Sequence, residues 1–143
     1  MFKSLLALLA LSHTVSAFAC GYGNVYSRLE CVMTTPGKAP VELTLNIENG
    51  RDIGSINLDR VASANLEVSL TSSGQSELRT VIRGRTPHFQ TYVNTAVFST
   101  PVQCDVAVPV LDITRTVQDV SNQHKTVTLK CFAISYFDQD KDN

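Results

Sequence analysis

Apolar and polar residues alternate one for one along most of this chain, and that period of two restricts the fold more than any other feature of the sequence. Successive side chains of a strand point to opposite faces, so alternation marks a ribbon with one face buried and one in water. Val41, Leu43, Leu45 and Ile47 alternate with Glu42, Thr44, Asn46 and Glu48 in the clearest case. Val25, Leu29, Cys31 and Met33 share one parity, with Tyr26, Arg28 and Glu30 on the other. Leu66, Val68 and Leu70 mark a further strand. Leu78, Thr80 and Ile82 then face one way while Arg79, Val81 and Arg83 face the other. Val102, Cys104, Val106, Val108 and Val110 again share a parity.

Two segments are apolar on both sides. From Phe89 to Phe98, Phe89, Val93 and Val97 oppose Tyr92, Ala96 and Phe98, the pattern of a central strand covered on both faces. In Thr126 to Phe137, Val127, Leu129, Cys131 and Ala133 oppose Phe132, Ile134 and Tyr136. This last segment is expected to be central in a sheet or covered by a partner.

The turns fall between these runs. Pro36-Gly37-Lys38-Ala39-Pro40 separates the first two segments, and Ser72-Ser73-Gly74-Gln75 separates two later ones. Asn49-Gly50 is the sequence signal of a type I′ hairpin, because both central residues need positive φ. Ile53 stands on the opposite parity to Ile56 and Leu58, and Gly54 between them suggests a bulge that corrects the register. One stretch, 112–121, has helical spacing at Ile113, Val117 and Val120, but its β-branched residues are poor helix formers. The expectation is an all-β domain, a small antiparallel β-sandwich or barrel of about eight strands.

The first nineteen residues stand outside that domain. Lys3 supplies a positive start, Leu5 to Leu11 an apolar run, and Ala17 and Ala19 the small residues of a cleavage site. This is the pattern of a secretory signal peptide, and the run is too short to span a bilayer. Residues 1–19 are therefore read as a cleaved signal peptide, 20–137 as a single all-β domain and 138–143 as an acidic C-terminal tail. The domain is expected to be exported, to the periplasm or the extracellular space. Cys20 directly after Ala19 leaves a second reading, an outer-envelope lipoprotein with a lipid anchor at Cys20. Ala17-Phe18-Ala19-Cys20 matches the lipoprotein cleavage pattern only in part.

Four cysteines follow the leader: Cys20, Cys31, Cys104 and Cys131. An even number in an exported chain reads as two disulfides, each contributing roughly 2–4 kcal/mol. Of the three pairings, the sequence-local one, Cys20–Cys31 with Cys104–Cys131, is favoured here. Its difficulty is that a simple hairpin joining 104 to 131 would turn near Val117-Gln118, whereas the turn-like residues are Ser121-Asn122-Gln123.

Chemistry-bearing patterns are scarce. After the leader only His88 and His124 remain as bases, and neither has a nucleophile-elbow context. There is no C-x-x-C for zinc, and Asp138-Gln139-Asp140-Lys141-Asp142 contains neither the glycine nor the glutamate of a calcium loop. No catalytic residue, metal or cofactor is assigned, and the protein is not expected to be an enzyme. The formal net charge of −1 sets up no positive field for nucleic acid. Arg79, Arg83 and Arg85 form a small basic cluster suited to an acidic group on another protein. The same arginines also serve as gatekeepers on a solvent face. The expectation is a non-catalytic protein-binding or structural module without a transmembrane segment. The alternatives are a secreted protease inhibitor presenting Arg85, or a barrel holding a small apolar ligand.

Overall fold

The computed structural model describes residues 25–48, 50–86 and 90–137. Residues 1–24, which include the expected leader and Cys20, lie outside the described residues, as do Asn49, Pro87, His88, Phe89 and residues 138–143. So do the cleavage site and the lipid-anchor reading.

Within the described residues eight antiparallel strands follow one another: β1 (Val25–Thr34), β2 (Val41–Asn46), β3 (Arg51–Leu58), β4 (Ala62–Leu70), β5 (Ser76–Gly84), β6 (Thr91–Phe98), β7 (Val108–Gln118) and β8 (His124–Phe137). They form two four-stranded sheets, ordered β2-β1-β8-β7 and β3-β4-β5-β6. The described residues contain no helix. Residues 112–118 belong to strand β7 instead, as their β-branched content favours.

The period-two pattern decides which faces meet. Leu29, Cys31 and Met33 of β1 and Val127, Leu129 and Cys131 of β8 point inward from one sheet. Ile56, Leu66, Val68, Leu78 and Ile82 point inward from the other, and all of these are essentially inaccessible to water. Each large aliphatic side chain buried this way contributes about 1.5–3 kcal/mol. β8 lies between β1 and β7, the central position its two-sided apolar character implies.

Going round the molecule, β1 and β2 lead to β3-β4-β5-β6, then to β7 and β8, and β8 pairs with β1 again. The strand order is that of an up-and-down barrel, flattened into a sandwich because two neighbouring pairs lack a ladder. Those seams are β2/β3 and β6/β7.

The first seam corrects two expectations. Gly50 has φ of 77° and begins a turn into β3, yet β2 pairs only with β1 and β3 only with β4. The connection at Gly50 therefore leads from one sheet to the other with no hairpin ladder, and the Asn49 half of the expected turn lies outside the described residues. Gly54 makes no bulge either, since β3 and β4 stay in register from Arg51↔Ser69 to Leu58↔Ala62. Its role is close approach: a Cβ there would lie 2.6 Å from Leu43 Cδ2 and 2.8 Å from Leu45 Cδ2. The missing side chain lets β2 pack tightly over β3, and Ile53 is left on the outer face.

β6 also differs from expectation. It is the edge strand of its sheet, and none of its residues is fully buried. Its second apolar row faces outward because no further layer covers that sheet.

The cysteine pairing is corrected as well. Cys31 bonds Cys131 with Cα atoms 4.1 Å apart, which excludes both members of the sequence-local arrangement. The two residues are directly opposite in the β1/β8 ladder, where side chains on one face stand close enough to be joined. The expected Cys104–Cys131 pair fails because Leu111 occupies the β7 position opposite Cys131. Cys104 sits instead in the connection before β7, where its backbone bridges Ser135. It too is disulfide-bonded, to a partner outside the described residues.

Candidate functional site

Strand β5 positions the predicted basic residues. Its inward residues Leu78, Thr80 and Ile82 are held in the core, which forces Arg79 and Arg83 outward. Successive same-face residues are two apart, so these two arginines are separated by about 13 Å along the strand. They form a stripe and do not converge on one point. Arg79 lies opposite Glu67 of β4 and Thr95 of β6. Arg83 lies between Ser63 and Thr91, with no acidic residue beside it in the ladder. Arg85, just beyond the strand, donates from Nη2 to Asn57 Oδ1 at 2.5 Å.

The same geometry bears on a protruding Arg85 loop. The backbone N–H of Arg85 donates to Gln118 O at 3.1 Å, and Thr86 is buried. Both flank the sandwich body, so residues 83–86 run along it.

The outer face of the β3-β4-β5-β6 sheet carries residues that sequence reasoning did not assign to a site. Ile53 is 61% exposed, Val93 56% and Val97 58%. Val81 stands beside Val93 in the ladder, and Ile53 lies in the row of Glu67, Arg79 and Thr95. Arg51 is paired with Glu67 at 2.8 Å, which takes the carboxylate opposite Arg79, and Arg83 has none beside it in the ladder. The signal for this face is present in the sequence, as the second apolar parity of 89–98 and the off-parity Ile53. Without knowledge of the neighbouring strands, that signal reads as burial.

The opposite outer face is different. Tyr26 and Tyr136 stack with ring centroids 5.8 Å apart, and the Arg28 guanidinium lies 4.8 Å from the Tyr136 centroid. Arg28 also pairs with Glu30 at 2.6 Å, and Lys130 with Asp112 at 3.2 Å. These charges neutralise one another within the face.

The open β6/β7 seam brings a third group together. Arg115 extends inward from β7, and its Nη2 donates to Asn94 Oδ1 of β6 at 3.1 Å. The guanidinium lies 5.4 Å from the Tyr92 ring centroid, and Tyr92 Oη donates to Thr116 O at 3.0 Å. These side chains bridge the two strands where backbone bonds do not.

His124 opens β8 and is exposed; His88 lies outside the described residues. Among the described residues, no group of three or more His, Cys, Asp or Glu side chains is placed to hold a metal ion, and no helix is long and apolar enough to cross a membrane. Comparison with known proteins finds no matching family model, no matching curated protein and no matching solved structure.

Proposed function

We infer that this chain is an exported, non-catalytic β-domain that binds another protein in the periplasm or extracellular space. The observation that carries the reading is the outer face of the β3-β4-β5-β6 sheet, where Ile53, Val93 and Val97 stand exposed beside Arg79 and Arg83. Exposed aliphatic groups grouped on one face favour an interaction surface. Arg83 adds a positive charge with no acidic neighbour in its ladder, so the partner surface is apolar with an acidic group at one edge. The oxidised Cys31–Cys131 pair and the oxidised Cys104 support an oxidising compartment.

Capture from the native envelope or secreted fraction tests the docking face. Wild-type protein is compared with Arg83→Glu and Val93→Asp variants whose far-UV spectra and melting match wild type. The expected result is a species retained by wild type and lost from both variants. Equal retention by all three proteins would overturn the assignment of this face. Intact mass of the processed protein tests export: a chain beginning at unmodified Cys20 supports a soluble exported form, and diacylglycerol on Cys20 supports the lipoprotein form. An uncleaved chain would overturn export.

A further inference from the structure

The β6/β7 seam is more open than the rest of the interior. The inward residues of β5 are sealed from water, but inward Tyr92, Asn94, Ala96 and Phe98 of the adjacent β6 remain half-buried. So do Leu111 and Ile113 across the seam on β7. The inner face is therefore less completely covered along these strands, where no ladder closes the wall.

One end of this opening is rich in donors without acceptors. Arg115 has no carboxylate among its partners and spends two bonds on Thr114 O and Asn94 Oδ1. A guanidinium carries five N–H groups in a fixed fork, so donors remain. Asn94 has its oxygen taken by Arg115, and its Nδ2 is buried without an acceptor. Thr80, directly opposite Asn94 on β5, is 0% exposed, and its hydroxyl has no partner. A buried polar group without a partner costs about 1–3 kcal/mol. Here two such groups and an unneutralised cation stand together on adjacent strands. The complement to that set is an anionic group bearing several acceptor lone pairs.

The other end is apolar. Ala96 and Phe98 continue along the inward row of β6, Leu111 and Ile113 along that of β7, and Phe98, Leu111 and Ile113 all pack against the core. From Asn94 to Phe98 the strand runs about 13 Å. We propose that the open β6/β7 seam binds a small amphipathic carboxylate, its headgroup on Arg115, Asn94 and Thr80 and its alkyl chain along Phe98, Leu111 and Ile113. The outer docking face is not involved, so this site stands or falls independently of the proposed protein partner.

Decanoate is the probe. Calorimetric titration of the full oxidised protein is expected to show saturable one-to-one binding, with decanol and acetate each weaker by about tenfold or more, because each lacks one half of the recognition. Arg115→Gln should weaken decanoate by about tenfold or more. Thr80→Val keeps the side-chain shape and leaves the seam bridge in place, so it should weaken binding while melting at or above wild type. It keeps the test decisive where Arg115→Gln fails to fold. No saturable binding of decanoate would overturn the proposal. Equal binding of decanoate and decanol, or decanoate affinity unchanged by Thr80→Val, would also overturn it by showing that alkyl uptake alone explains the signal.

Discussion

Replacing Cys31 and Cys131 together by valine isolates the contribution of the covalent link. Both sulfurs lie in the core, in directly opposed positions of β1 and β8. Valine nearly fills the volume of each half-cystine and suits a strand, so the substitution leaves little cavity. The link joins residues separated by 100 positions. In the chain-entropy account, a loop of that size corresponds to about 4.7 kcal/mol. The second disulfide, at Cys104, already restrains the unfolded chain, which lowers the expected loss towards about 3 kcal/mol. Against a typical total of about 5–15 kcal/mol, that is a large fraction of the stability. For a domain of this size it corresponds to a fall in Tm of about 10–20 °C. Urea denaturation is the assay of choice. The freed unfolded chain exposes more surface, so the denaturant slope should rise as the midpoint falls. A loss below about 1 kcal/mol with an unchanged slope would refute the argument, because it would mean that the ladder already restrains these strands in the unfolded ensemble.

Substitutions at three further positions probe specific features of the fold. Gly54→Val should cost about 1–3 kcal/mol by overpacking against Leu43 and Leu45, read as a lowered urea midpoint; an unchanged midpoint would show that β2 yields freely at the seam. Asp119→Ala should cost about 2 kcal/mol, because Asp119 Oδ1 accepts from the backbone N–H groups of Ser121 at 2.8 Å and Gln123 at 2.9 Å in the β7–β8 turn. Asp119→Asn should recover part of that loss in the same assay. Ser76→Ala removes a fully buried hydroxyl with no partner and should leave thermal stability equal or raised by about 1 kcal/mol.

Strand identity was legible because alternation is a local property. Val41, Leu43 and Leu45 declare a half-buried strand whatever lies beside them, and their pattern survives intact in β2. The turn residues between 119 and 123 were equally local, and β7 and β8 do reverse there. Burial on the second face was not legible. Residues 89–98 and 126–137 carry similar two-sided apolar patterns, yet β6 is an exposed edge and β8 a central strand. Only the neighbours differ, and neighbours are set by the whole chain.

The candidate sites divide the same way. Arg79 and Arg83 were placed on an outward face by parity alone. Arg115 sits in the inward parity of Ile113 and Val117, an irregularity visible in the sequence once residues 111–118 are read as a strand. Its meeting with Asn94 and Thr80 depends on β7 returning beside β6, which no local pattern specifies.

From the sequence alone follow the all-β class, the strand count of about eight, most inward faces and an even set of cysteines. Each rests on interactions between residues a few positions apart. Tertiary structure alone decided that β2 and β3 belong to different sheets, that Cys31 faces Cys131, and that a barrel order opens at two seams. These depend on which strand edges find each other across long stretches of chain, where packing at positions such as Gly54 outweighs local turn preference.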